Sequence, residues 1–161
     1  MFEQFGNFDS AEALNETANG LRREQDYESI RKLAEENGID EEIADAFIDG
    51  DVLYICDVAT AAIGKLEVEK KALDCAEIME DWVSYIEAEC FENEKMAEKA
   101  RKADKSLSGC IAELLKWGFG HQHEISADIK KAANVSAGRV TLGIPGMGTA
   151  KRIIREYYLG K

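Results

Sequence analysis

Apolar residues recur every three or four positions along almost the whole chain, and each such run is bracketed by a residue that starts or stops a helix. A period near 3.6 gathers these residues on one helical face, so the pattern calls for helices packed face to face and leaves little for a sheet. In YESIRKLAEENGI, Tyr27, Ile30, Leu33 and Ala34 share a stripe that closes at Gly38 with apolar Ile39 beyond, the arrangement of a glycine C-cap. Asp40 then caps a helix with Ile43, Ala44, Phe47 and Ile48 inward and Gly50 as its stop, so residues 26–50 predict a compact helical hairpin. Upstream, Asp9 and Glu12 form a capping pair ahead of Leu14, Ala18 and Leu21.

The same reading continues downstream. Ile55, Cys56, Ala59, Ala62, Ile63 and Leu66 predict one long, mostly buried helix from Val52 to about Lys71, with Gly64 costing about 1 kcal/mol against alanine. Ile78, Trp82, Val83, Ile86 and Cys90 predict a core helix over residues 75–90, and a shorter one follows from Glu92 to Lys102. Ser106 opens a stripe of Leu107, Cys110, Ile111, Leu114, Leu115 and Phe119 that ends at Gly118 and Gly120. Beyond the link HQHEIS, Ile125, Ile129, Ala132 and Ala133 predict a brief helix, and Ile153, Ile154, Tyr157 and Tyr158 face inward from a last one. The expectation is an all-α domain of about seven to nine helices with a small glycine-rich turn near its C-terminus. Residues 1–51 form an acidic helical hairpin region, and residues 52–161 a helical core with a basic tail, the two making one compact unit. Trp117, Tyr157 and Tyr158 suit either the core or a contact between two copies of the chain.

With 161 residues a domain buries a sufficient core without staples, which fits four cysteines, Cys56, Cys75, Cys90 and Cys110, that form no close pair. Reduced thiols are the expectation. Cys110 with His121 and His123 offers sulfur and imidazole to zinc, but without the paired spacing of a zinc site, so no metal or other cofactor is assigned. The start, MFEQFGNFDS, has no basic segment followed by an apolar run, and the longest apolar stretch is too short to span a bilayer. Both features predict a protein that stays in the cytoplasm.

Charge is unevenly placed. Residues 1–100 hold 27 acids against 9 bases, a net −18, and residues 101–161 hold 5 against 11, a net +6. An acidic body repels nucleic acid and the anionic leaflet and attracts basic surfaces over about a Debye length. The cluster Asp40, Glu41, Glu42, Asp45, Asp49 and Asp51 is dense enough to imitate a run of phosphates, and Glu77, Glu80, Asp81, Glu87 and Glu89 form a second row. A solvated face that aids solubility is the alternative for either. Lys130, Lys131, Arg139, Lys151, Arg152 and Arg155 are the candidate contacts to DNA, RNA or another anion.

Three motifs invite sharper readings. VTLGIPGMGTAKRII has the order strand, glycine loop, helix of a phosphate loop, but Thr149 stands where the loop lysine belongs and Lys151 comes two residues late. A structural turn is the competing reading. DIKKAANVSAGRVTLGI has the rhythm of a helix-turn-helix with Arg139 on the second helix, against which Lys130 occupies a position that needs a small buried residue and Gly138 weakens that helix. No Asp or Glu joins a histidine, serine or glycine loop in a recognisable catalytic set, so a binding protein is expected, not an enzyme.

EIMEDWVSYIEAEC (Glu77 to Cys90) and KSLSGCIAELLKWGF (Lys105 to Phe119) resemble the PcfK-like proteins encoded on conjugative elements of Firmicutes. The final VTLGIPGMGTAKRIIREYYLG (Val140 to Gly160) is similar to members identified as inhibitors of the type II CRISPR effector nuclease, and the resemblance covers most of the chain beyond residue 50. It implies an anti-CRISPR protein whose partner is that nuclease or its guide-RNA complex. Such an effector holds nucleic acid in a positively charged channel, which an acidic helical protein could occupy. The basic tail does not suit a pure DNA mimic and can instead face guide RNA, DNA or a second copy of the chain. An accessory protein of a conjugative element, binding DNA or transfer machinery through that tail, is the alternative.

Overall fold

The computed structural model describes residues 2–160, and within them the chain forms nine helices and one two-strand ribbon. The helices are α1 (Ala11–Arg23), α2 (Tyr27–Glu36), α3 (Glu41–Asp49), α4 (Val58–Ala72), α5 (Ile78–Glu92), α6 (Glu94–Arg101), α7 (Leu107–Gly120), α8 (Ala127–Ala132) and α9 (Met147–Leu159). Strands β1 (His123–Glu124) and β2 (Thr141–Leu142) pair antiparallel, His123 opposite Leu142 and Glu124 opposite Thr141. The all-α architecture follows the sequence pattern. Among the described residues no helix is long and apolar enough to cross a membrane.

Local chemistry sets most of the boundaries. Asp26, Asp40 and Ser106 cap α2, α3 and α7 by accepting from the amides of Ser29, Glu42 and Gly109. Gly38 ends α2 in the left-handed region at φ 65°, and the amide of Ile39 reaches back to Ala34 O at 2.9 Å. Gly50 at φ 86° ends α3 in the same way, with Asp51 N on Ala46 O at 2.9 Å, so both turns of the hairpin are closed by a backbone that only glycine adopts without cost.

Three boundaries differ from the sequence expectation. Ser10, not Asp9, caps α1, and Asp9 accepts instead from Ala103 N at 2.9 Å, which ties the N-terminal segment to the end of α6. The helix expected from Val52 begins only at Val58, capped by Asp57, because Asn15 takes the preceding backbone for itself. Its Oδ1 accepts from the amides of Ile55 and Cys56 at 3.0 and 3.3 Å, and its Nδ2 donates to Cys56 O at 2.9 Å. The helix-turn-helix is not formed: α8 has six residues, and no helix follows it before α9.

Two apolar clusters make the core. Leu14, Ile30, Leu33, Phe47, Ile55 and Ala61 fill one between α1, α2, α3 and the start of α4. Leu66, Trp82, Ile86, Met96, Leu107, Leu114 and Ile154 fill the other between α4, α5, α6, α7 and α9. Helix α4 serves both, touching α1, α5, α6 and α7, so it reads apolar round much of its circumference. Residues 1–51 and 52–161 therefore share this helix. Tyr158 lies in the second cluster and Tyr157 packs beside it.

Polar groups cross the core where helices end. Lys65 of α4, with no exposed surface, donates through Nζ to Ala100 O at 3.1 Å and to Lys102 O and Lys105 O at 2.6 Å, satisfying carbonyls at the end of α6 and in the link to α7. One turn on, Glu69 accepts from Leu107 N at 2.7 Å at the start of α7. Arg101 donates to Asn37 Oδ1 at 2.8 Å, and Asn37 returns to Leu33 O, so α6 is fastened to the end of α2. Beside this junction the backbones of α2 and α4 almost touch: a Cβ on Gly64 would overlap Asn37 O, and one on Gly38 would overlap Gly64 O.

Two outcomes test this junction by chemical denaturation. Gly64→Ala, which helix propensity alone would make stabilising by about 1 kcal/mol, is expected to destabilise by about 2 kcal/mol because the helices must separate. Lys65→Met leaves three carbonyls and Glu69 without their cation and is expected to cost about 3 kcal/mol.

Candidate functional site

The acidic residues singled out in the sequence fall on two helices with different neighbours. Helix α3 packs on α2, whereas α5 packs on α4, α6 and α9. Asp40 is spent as the cap of α3, and Asp45 pairs with Arg31 of α2 at 2.7 Å. Glu41, Glu42, Asp49 and Asp51 remain exposed around α3. The structure adds acids that sequence reasoning passed over. Asp26, Glu28 and Glu35 of the α2 side line, with Gln4, Arg31, Lys32 and Glu41, a shallow groove of about 590 Å³. Helical spacing was the available signal, because these residues sit opposite the buried stripe Ile30, Leu33 and Ala34. The hydrogen bonds that Ser29 makes to Asp26 hold that carboxyl below its usual range.

On α5 the second row is divided. Glu77, Glu80 and Asp81 are exposed at its first turn, where carboxylates suit the helix dipole. Glu89 accepts both arms of Arg155 from α9, at 2.7 and 3.2 Å, and this hydrogen bonding lowers its pKa. Glu87 is half-buried beside Glu67 of α4, its Oε1 without a donor from any described residue. Burial, and after it the neighbouring Glu67, pushes Glu87 up to about 7, and Lys70 pairs with Glu67 at 3.2 Å.

The basic candidates are largely engaged with the chain itself. Arg155 holds Glu89, and Lys151 Nζ lies 4.9 Å from the centre of the Tyr85 ring. Arg152 pairs with Glu156 at 2.8 Å and Arg139 with Glu124 at 3.8 Å, and Lys130 donates to Gly138 O at 2.8 Å. Lys131 is exposed on α8, no residue of which is buried. The expected division into an acidic body and a basic tail is thus softened in space, because α9 lies against the acidic row of α5.

The glycine-rich segment packs and does not cradle. A Cβ on Gly118 would overlap Gly143 O, so the ribbon presses onto the end of α7, and Gln122 Nε2 donates to Gly118 O at 2.7 Å. Gly146 caps α9 without a side chain, and Lys151 is turned towards Tyr85. Leu115 and Phe119, expected inward, are 59% and 75% exposed, because the buried face of α7 runs through Leu107, Cys110, Leu114 and Gly118 and leaves them beside it. Nor are the zinc candidates gathered. Cys110 is buried eleven residues before His121, about 16 Å along a helix. His121 stacks on Trp117 at 4.1 Å, and His123 is exposed on β1. Among the described residues no group of histidine, cysteine and carboxylate could hold a metal ion. Burial pushes the thiols of Cys56, Cys90 and Cys110 up to about 12, which makes them poor nucleophiles.

No protein-family model matches the chain, and no curated protein or solved structure is significantly similar to it.

The Glu67 and Glu87 pair gives a pH signature. A carboxyl whose folded pKa is raised binds more protons folded than unfolded, so its contribution to stability is lost as pH rises from about 4.5 to about 7. Glu87→Gln, which cannot ionise, is therefore expected to melt higher than the parent at pH 8 and no higher at pH 5, read by thermal denaturation at both.

Proposed function

We propose that the chain is an anti-CRISPR protein that binds the type II effector nuclease through the acidic surface of its α2–α3 hairpin and so blocks a basic nucleic-acid-binding surface, with no catalytic step of its own. The observation that supports this reading most is the charge of that hairpin. Residues 24–51 carry eleven acids and two bases, a net −9. Both bases are already paired within the hairpin, Arg31 with Asp45 and Lys32 with Glu35 at 2.9 Å. The remaining carboxylates project a field that a basic protein channel would find complementary and that DNA would be repelled by. The resemblance of Glu77 to Cys90, Lys105 to Phe119 and Val140 to Gly160 to mobile-element inhibitors supports the choice of the nuclease among basic partners.

Exposed charges act mainly on encounter, so association should slow as salt rises and the Debye length falls below about 8 Å. The test mixes the protein with guide-loaded type II nuclease and measures complex formation and DNA cleavage. A stable complex and suppressed cleavage are expected from the parent, and loss of both when Glu41, Glu42, Asp49 and Asp51 are all changed to lysine. Undiminished cleavage and no complex across several type II nucleases would end this reading.

A further inference from the structure

Between α3 and α4 the chain displays apolar side chains where folding does not require them. Leu53 is 72% exposed and Tyr54 63%. With Ile43, Val52 and Thr60 they line a shallow groove of about 300 Å³. Single exposed apolar residues are ordinary, but several around one groove, on a chain with this much charge, mark a surface that is covered in use.

The backbone beneath them is pinned on both sides. Ala46 O receives the amides of Asp51 and Val52 at 2.9 and 3.4 Å. Asn15 clamps Ile55 and Cys56, and Ile55 is fully buried as a plug beneath the loop. Leu53 and Tyr54 are therefore presented from a fixed base, and a partner that covers them meets little ordering cost.

Charge selects the partner. Residues 40–57 hold seven acids and no base, and Asp49, Asp51 and Asp57 are exposed around the loop. Nucleic acid and an anionic membrane are repelled by that rim, and the same loop of a second copy brings the same charges against it. What fits is a protein surface with an apolar pocket set among cations.

We infer that the loop Val52–Leu53–Tyr54 is the anchor of the acidic face, inserting Leu53 and Tyr54 into an apolar pocket ringed by arginine and lysine side chains on the partner. This deepens the proposed function and rests on its assignment of the acidic hairpin as the binding face. The carboxylates bring the partner in and exclude others, while the two anchors hold it by burying apolar area in a centre the charges surround.

The test compares two probes by fluorescence anisotropy: a helical peptide with arginines on one face and leucines on the other, and an oligoarginine of equal charge. The parent should bind the first at least about tenfold more tightly. Leu53→Ser with Tyr54→Ser should abolish that preference while leaving the melting temperature unchanged, since both residues are exposed. Phe119→Ser with Leu142→Ser, in a second exposed apolar groove, should leave it intact. Equal affinity of the parent for both peptides, a preference that survives the loop substitutions, or one lost at Phe119 and Leu142 instead, would each overturn the inference. Binding of guide-loaded nuclease is measured in parallel. If the parent binds it and the loop variant binds as tightly, the anchor is wrong and the proposed function stands. If the parent does not bind it, the proposed function falls and the peptide comparison still decides the loop.

Discussion

One buried ammonium holds the helices of this protein in place. Lys65 offers three protons to the carbonyls of Ala100 and Lys102 at the end of α6 and of Lys105 in the link to α7, and Glu69, one turn further along α4, accepts the first amide of α7. Each group meets the helix end whose partial charge it opposes, a cation at a C-terminus and an anion at an N-terminus. Burial pulls Lys65 down to about 8 and raises Glu69, so each is costly alone and tolerable only with the other and with those backbone partners. Arg101 extends the arrangement to Asn37 and hence to the end of α2. The acidic hairpin is thereby attached to the helical core by polar contacts as well as by the shared helix α4.

The distribution of surface charge follows from that packing. Read along the chain, the sign changes near residue 101, but α9 folds back on α5, where Arg155 and Lys151 meet Glu89 and Tyr85. The acidity of α5 is partly offset from within the molecule. The hairpin of α2 and α3 is less offset: its two bases are used inside it, and Arg22 of α1, which reaches α3, donates to Phe47 O and to Asn19 Oδ1. The field that a partner meets therefore comes mainly from residues 24–51, a narrower source than the 100-residue acidic segment suggests.

What could be read from the sequence was what nearby residues decide. Asp26, Asp40 and Ser106 cap helices, and Gly38 and Gly50 end them, because each needs only atoms within a few positions. The failures share a different cause. Ile55 and Cys56 fit the stripe of a helix that would begin at Val52, and only Asn15, some forty residues away, turns that stretch into a clamped loop. Gly64 reads as a weak point of α4 until the approach of Asn37 and Gly38 is known. Nothing near Lys65 and Arg101 in the sequence marks them as buried, because their burial depends on carbonyls and an amide contributed by other elements. Of the ribbon only β2 shows in the sequence, as the strand ahead of the glycine loop; two-residue strands carry no periodicity, and the ribbon's position depends on the contact between Gly118 and Gly143. Among the candidate site residues, position on a helix face was legible, whereas the pairing of Asp45, Glu87 and Glu89 with other helices was not.

Concentrated charge works against folding. A net charge of −9 in twenty-eight residues is self-repelling, and the hairpin that carries it is kept by caps, two glycine turns, a buried stripe and the Asn37 contact. A surface kept acidic only for solubility gains nothing from such crowding, since charges of both signs spread over the molecule serve that end with less repulsion. Stability would likewise favour a polar side chain at Leu53, where the apolar one meets water and contributes little to the core. The two departures adjoin in the chain, because Asp49 and Asp51 at the end of the acidic hairpin run directly into Leu53 and Tyr54, which line the groove. Cost incurred twice at one place is more readily explained by binding than by folding, and the sign of the charge limits what can be bound there.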